Sequence, residues 1–368
     1  MSKNNSTKKS KNNDLSPTNR NQIEENTTKS PINNTNRIRT SNEQPGIIEV
    51  YEDNFIEEIK NLSSLLDEYN YIGMDTEFPG TVFFVENMTE DFYYKTLKKN
   101  VDKLKLIQLG ITLTNEKGEY PNNYPYHTWQ FNLEFDKNTE LYKANSINLL
   151  EECGINFDKL KKKGIKHNLF AQYFMISNLV LNPDIYWVSY QGSYDFGYLL
   201  KLLINTDLPE REDEFTNLLN IYFINYYDIR IFTKGNESYY RGLNKLAEQL
   251  DVIREGQIHQ AGSDSVVTIE VFFKLKQSGV ITNKKLEEFK NVLHGIGKGQ
   301  DNDETINYTQ IGMNYQNNNK NMMYINLPIN TNYMNMNYYN YSMILNNQNN
   351  NLNFNQNNNN LFIYIYNK

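Results

Sequence analysis

The sequence predicts an α/β domain, a mixed sheet flanked by helices, between two disordered low-complexity tails. Residues 1–45 consist mainly of Asn, Ser, Thr and Lys, and residues 301–368 contain 25 Asn among scattered Tyr and Met. Neither composition can bury a regular core. Strand and helix patterns alternate in the segment between them, 46–300, which is long enough for one well-buried domain.

The first half of this central segment predicts an antiparallel meander. Apolar residues at helical spacing over 52–69 are followed by an apolar strand at 70–76. After a helix at 91–103, two further strand patterns at 104–114 and 127–135 are joined by a turn-rich segment.

The second half alternates between helices and short strands. The predicted strands lie near 185–190 and 226–232, and the predicted helices lie near 170–180, 195–205, 211–222, 242–250 and 263–277. A meander followed by alternation indicates a mixed sheet with helices packed against it.

Composition limits the classes of function. The net charge is −7 for the whole chain and −10 for residues 46–300, which argues against broad, salt-driven binding to duplex DNA. A single cysteine, Cys153, fits a reducing compartment. We find no apolar run of 18 residues and no signal-peptide pattern, so we expect no membrane association and a cytoplasmic and nuclear location.

The strand in "YIGMDTEFPG" carries two carboxylates, Asp75 and Glu77, before Pro79 and Gly80 end it. Residues two apart on a strand point to the same face. Two like charges on a largely buried face are costly unless a cation lies between them.

Two other acidic residues stand at the starts of predicted helices. Asp195 in "SYDFGYLL" and Asp264 in "HQAGSDS" could each be an ordinary N-terminal acid that stabilises its helix. His259, five residues before Asp264, could be an ordinary loop histidine.

Taken together, these residues form a set of four carboxylates and one imidazole, all near ends of strands or helices, where a mixed sheet gathers side chains into one cleft. Oxygen ligands of this kind suit Mg²⁺ or Mn²⁺ rather than zinc. Two such ions are the arrangement used for phosphodiester displacement.

The set Asp75-Thr76-Glu77, Asp195 and His259…Asp264 resembles DEDD-type 3′→5′ exonucleases of the histidine subclass. The ordered motifs "MDTEFPG", "LIQLGIT", "NEKGEYP", "TWQFN", "YDFGYL", "LAEQL" and "HQAGSDS" resemble, more narrowly, the Caf/Pop family of mRNA deadenylases. The resemblance spans roughly 46–300.

The resemblance implies a ribonuclease H-like fold and removal of poly(A) tails from mRNA with release of 5′-AMP. It implies that Asp75, Glu77, Asp195 and Asp264 ligate two divalent ions, Mg²⁺ or Mn²⁺, and that His259 accepts a proton from the attacking water. The implied partners are poly(A) RNA and the scaffold and companion nuclease subunits of the CCR–NOT complex.

Phe78 could stack on the terminal base or lie in the core; Tyr194 has the same two interpretations, with core packing favoured. Segments 81–92 and 234–243 depart from the family pattern, the second through Glu237, Tyr240 and Arg241. Two alternative functions remain open at this point: a general 3′ exonuclease on other RNA or single-stranded DNA, and a non-catalytic scaffold.

Overall fold

The computed structural model describes residues 46–85, 91–236, 239 and 242–299, and the backbone of three short strands beyond them. The predicted N-terminal tail lies outside the described residues, as does most of the C-terminal one. The three strands, β7 (Tyr324–Pro328), β8 (Leu352–Asn357) and β9 (Asn360–Ile365), form an antiparallel sheet in the order β7-β9-β8.

The main sheet has the strand order β1-β4-β3-β2-β5-β6. Its strands are β1 (Ile47–Val50), β2 (Tyr71–Glu77), β3 (Gln108–Thr114), β4 (Thr128–Asn132), β5 (Tyr186–Ser189) and β6 (Tyr226–Asp228). β2, β3 and β4 form the predicted antiparallel meander. β1 lies parallel to β4, β5 parallel to β2, and β6 parallel to β5, so the mixed sheet is confirmed.

The helices that precede β5 are α1 (Phe55–Ser63), α2 (Phe92–Lys103), α3 (Ala144–Glu152), α4 (Phe157–Lys163) and α5 (His167–Met175). Those that follow it are α6 (Ser193–Ile204), α7 (Glu212–Tyr222), α8 (Ile229–Phe232), α9 (Leu243–Gln249), α10 (Ala261–Gln277) and α11 (Asn283–Glu288). Among the described residues, no helix combines the length and apolar composition that a membrane span requires.

Two apolar cores cover the two faces of the sheet. One contains residues of α1, α2, α5 and α6, such as Phe55, Leu97, Phe170 and Phe196. The other contains Ile269 and Phe272 of α10 with residues of α8 and α9. α10 is buried along most of its length, which explains why its sequence is apolar on nearly every side after the small residues at its start.

The structure corrects some predicted elements. The strand predicted at 226–232 ends at Asp228, and residues 229–232 form α8 instead. The Asp228 side chain causes this change, because it accepts a hydrogen bond from Arg230 N and so begins a helix. β1 has no predicted counterpart, and the helix predicted at 52–69 ends at Ser63.

Candidate active site

The end of β2 presents both of its carboxylates to α10. Side chains alternate along a strand, so Gly73, Asp75 and Glu77 share one face. A Cβ placed on Gly73 would lie 2.5 Å from Ser265 O of α10, which identifies that face as the one covered by this helix. Asp75 and Glu77 are therefore directed toward the N-terminal turn of α10.

Two features fix the start of α10 close to the sheet. On β3, a Cβ at Gly110 would lie 1.9 Å from Ala261 O, so only glycine permits this approach. The first amides of the helix are bound by glutamines of the sheet: Ala261 N donates to Gln108 Oε1 at 3.3 Å, and Gly262 N donates to Gln130 Oε1 at 2.8 Å. Since Asp75 pairs with Gly110 in the β2–β3 register, α10 begins beside the acidic strand end.

Asp264 lies in the first turn of α10 and is held by two contacts. Its Oδ1 is 2.6 Å from Nη1 of Arg254, and its Oδ2 accepts a hydrogen bond from His259 N at 3.1 Å. His259 adopts a left-handed backbone conformation with φ of 57°. One ligand atom each from Glu77, His259 and Asp264 lie within 4.8 Å of one another, so the imidazole is part of the same cluster.

Asp195 approaches the end of β2 from the opposite face, on α6. It is the third residue of the helix, after Gly192 at the N-cap, and its Oδ1 accepts a hydrogen bond from Thr76 Oγ1 at 2.6 Å. This bond joins the helix to the residue between Asp75 and Glu77. Asp195 is therefore directed at the strand end as well as at its own helix start.

Asp228, at the end of β6, fixes the start of α6. This fully buried carboxylate accepts four backbone hydrogen bonds at distances of 2.7–3.2 Å. Two donors are Gln191 N and Gly192 N, which lead into α6, and the others are Arg230 N and His294 N. Asp228 thus positions the helix that carries Asp195.

The cluster carries an excess of negative charge. Burial raises the pKa of Asp75 well above its usual value, and repulsion from Asp264, Asp195 and Glu77 raises it further, while Arg254 lowers it. Burial and the charges of Asp264 and Asp195 raise the pKa of Glu77 in the same way. Burial raises the pKa of Asp195 to about 6, although the hydrogen bond from Thr76 opposes the increase.

This donor set fits divalent cations. It consists of carboxylate oxygens with one neighbouring imidazole, the ligands that Mg²⁺ and Mn²⁺ accept. Burial and mutual repulsion raise the pKa of Asp75 and Glu77, and bound cations would offset that repulsion. Asp75, Glu77, Asp195 and Asp264, the four predicted ligands, are the residues that would hold such ions.

Phe78 lies between the site and the core. Its ring stacks on Tyr194 at a centroid distance of 5.3 Å and on Tyr198 at 5.1 Å, and Tyr198 is buried. Phe78 itself stays partly exposed. Base stacking by Phe78 remains a prediction, because its partly exposed ring already packs against protein.

The structure brings all five predicted residues to one end of the sheet. The two segments that depart from the family pattern lie partly outside the described residues, which do not include 86–90, Glu237, Tyr240 and Arg241. Three residues that build the site were not predicted from the sequence, namely Arg254, Thr76 and Asp228. Of these, only Thr76 had a signal, because it lies inside the Asp75–Glu77 motif.

Comparison with known proteins identifies the family of this chain. A family model described as CAF1 family ribonuclease matches residues 50–176. The Arabidopsis thaliana protein called "Probable CCR4-associated factor 1 homolog 7" is 43% identical over 260 residues, covering 68% of this chain and 93% of that protein. The chain belongs to the CAF1 ribonuclease family. "Poly(A) ribonuclease pop2" of Schizosaccharomyces pombe is 38% identical over 257 residues, covering 68% of this chain and 75% of that protein.

Solved structures of the CAF1 family share the fold. S. pombe Pop2p in a form with bound Mg²⁺ and Mn²⁺ is 36% identical, with a TM-score of 0.65 and coverage of 68% of this chain and 100% of that one. The structure of the yeast NOT1 MIF4G domain co-crystallised with CAF1 contains a chain that is 29% identical to this one. The TM-score is 0.58, and the match covers 67% of this chain and 96% of that one. The predicted ribonuclease H-like fold is confirmed.

Proposed function

We propose that this protein is a 3′→5′ exoribonuclease that removes poly(A) tails from mRNA by two-metal-ion phosphodiester hydrolysis and releases 5′-AMP. The observation that carries the proposal is the convergence of four acidic side chains and His259 on one end of the sheet. Membership of the CAF1 ribonuclease family, together with the name of the S. pombe poly(A) ribonuclease, supports poly(A) as the substrate.

The acidic residues have one shared task, which is to hold the cations. Asp75, Glu77, Asp195 and Asp264 would bind two divalent ions, Mg²⁺ or Mn²⁺, as the bound form of S. pombe Pop2p supports. When bound, such ions neutralise phosphate charge and make water nucleophilic near neutral pH.

The protein's own groups orient the carboxylates and move the proton. Thr76 binds one oxygen of Asp195, and Arg254 and His259 N each bind one oxygen of Asp264, so these contacts fix the orientation of both carboxylates. His259 lies beside Glu77 and Asp264, where its imidazole can accept a proton from the attacking water. The hydrogen bond from His259 N to Asp264 Oδ2 fixes the position of His259 relative to Asp264.

The same proposal includes assembly and location. The structure of yeast CAF1 with the NOT1 MIF4G domain supports binding of this chain to a scaffold subunit of a CCR–NOT complex, and we extend the proposal to a companion nuclease subunit. We assign the protein to the cytoplasm and nucleus, in keeping with its single cysteine. Co-purification with the scaffold and imaging of the tagged full chain test these two points.

The activity is tested on a 5′-labelled RNA in which a non-adenine block precedes a 3′-terminal A20 tract. With Mg²⁺ or Mn²⁺, the full chain should shorten the RNA from its 3′ end and slow at the block, and EDTA should stop it. Asp75→Asn should remove the activity, whereas Asp67→Asn, at an exposed acid after α1, should keep it.

Two results contradict the proposal. Shortening at an unchanged rate through the block would assign a general 3′ exonuclease instead of a deadenylase. Failure of the folded chain to shorten the RNA, alone and with its scaffold subunit, would favour a non-catalytic role.

A further inference from the structure

We propose that residues 141–145, at the N-terminal end of α3, form a binding subsite for the single-stranded RNA just upstream of its 3′ end. The proposal rests on the exonuclease function above, because a strand whose 3′ end lies in the acidic cluster must leave over the rim of the site. It adds a substrate contact outside the five predicted site residues and Phe78.

Helix α3 forms part of that rim, since both of its ends contact segments that carry site residues. At the N-terminal end, Lys143 N donates to Pro79 O at 2.9 Å, and Pro79 is two residues beyond Glu77. At the C-terminal end, Gln260 Nε2, next to His259, donates to Cys153 O at 2.8 Å.

Large apolar side chains are exposed on this rim. Leu141 is 53% exposed, Tyr142 37% and Leu149 43%. They account for three of the eight exposed large hydrophobic residues in the described part of the chain. An aromatic ring that is open to solvent beside a nucleolytic cleft can stack on any base, which is the usual way in which proteins bind single strands.

Lys143 supplies positive charge next to this ring. Three lysines around the rim are already paired with acids: Lys105 with Glu140, Lys137 with Glu151, and Lys161 with Asp136. Lys143 is exposed and has no carboxylate within 4.0 Å among the described residues. In a domain with an excess of acidic residues, a lysine without an acidic partner beside the cleft is suited to a phosphate.

Together these features favour RNA as the occupant. A ring for stacking and a cation for the phosphate, one residue apart, match the two chemical parts of a nucleotide. The position also fits, because Lys143 is bonded to the loop that follows the catalytic strand.

The experiment compares kcat and KM on diadenylate, which has one nucleotide upstream of its 3′ end, and on A20. Tyr142→Ala should raise KM for A20 about tenfold, the effect of losing one base–aromatic stack, and leave both constants for diadenylate unchanged. Tyr142→Phe, which keeps the stacking face, should behave as wild type. Lys143→Ala should reduce the slope of log affinity for A20 against log salt concentration by about one, the effect of losing one phosphate contact. Lys117→Ala, in the turn at the opposite end of β3, should leave this slope unchanged.

Anisotropy of labelled A20 with Ca²⁺ measures binding by the same variants without turnover. An unchanged affinity and KM for A20 in Tyr142→Ala would overturn the subsite, as would equal KM increases on A20 and diadenylate. If the wild type degrades neither substrate, the proposed function fails, and the binding comparison still decides the subsite. Weaker A20 binding by Tyr142→Ala but not by Tyr142→Phe supports it.

Discussion

Gly110→Ala tests whether the close approach of α10 to the sheet builds the site. The added methyl group would lie 1.9 Å from Ala261 O and 2.2 Å from Ala261 C, both backbone atoms that cannot rotate away. Contacts of this kind are not found below 3.0 Å, so the start of α10 must move by about 1 Å. Asp264 is part of that first turn and must move with it.

The magnitudes follow from this displacement. Overpacking of a well-packed interface costs about 1–3 kcal/mol of unfolding free energy, equivalent to a fall in Tm of about 2–12 °C for a domain of this size. A displacement of about 1 Å in a catalytic group can reduce the rate about 100-fold. Gly110→Ala should therefore reduce activity by a larger factor than its loss of stability alone explains.

Denaturant unfolding and the A20 assay measure both effects, and two other glycines supply controls. A methyl group at Gly73 would lie 2.5 Å from Ser265 O, and one at Gly197 would lie 3.1 Å from the movable Leu97 Cδ2. The expected order of damage is Gly110→Ala, then Gly73→Ala, with Gly197→Ala nearly neutral. Wild-type stability and rate in Gly110→Ala would refute the argument.

The charged groups in and around the site determine stability and metal binding in three further ways. Because burial raises the pKa of Asp195 to about 6, its ionisation destabilises the metal-free protein. In EDTA, the unfolding free energy of wild type relative to Asp195→Asn should fall as pH rises from about 4 through 6. A difference that stays constant or rises over this pH range would contradict the prediction. Arg254→Met removes the guanidinium that pairs with Asp264, so Mn²⁺ should raise the Tm of this variant by more than it raises that of wild type, with Arg254→Lys intermediate. Equal Tm shifts in all three proteins would show that Arg254 does not compete with the metal for Asp264. Asp228→Asn leaves buried backbone donors without an acceptor and should lower the unfolding free energy measured in urea by about 3 kcal/mol. A decrease of less than about 1 kcal/mol would show that the four hydrogen bonds do not stabilise the protein.

The predicted parts of the site share one property, namely a local sequence signal. Asp75 and Glu77 lie two apart on an apolar strand, so the sequence predicts the face that they share, and it predicts the helix starts at which Asp195 and Asp264 lie. The antiparallel meander is predictable for the same reason, because each of its strands is bounded by turn residues.

The missed parts depend on contacts between distant residues. Asp228 accepts from Gln191 and His294, 37 and 66 residues away, and no local pattern distinguishes it from any acid at a strand end. The apolar run at 226–232 fits a strand or a helix equally well, and the Asp228 cap decides between them. Gly110 looks like an interruption of a strand until the helix against it is known.

Asp195→Asn, measured for stability and rate in one preparation, tests the central claim most directly. If Asp195 is a metal ligand, the rate on A20 should fall by orders of magnitude, while the metal-free unfolding free energy at pH 7.5 stays equal to wild type or rises, since a buried charge is removed. If Asp195 only stabilises the start of α6, the variant should keep its activity and lose a few tenths of a kcal/mol or more. Retained activity would contradict the account of the site.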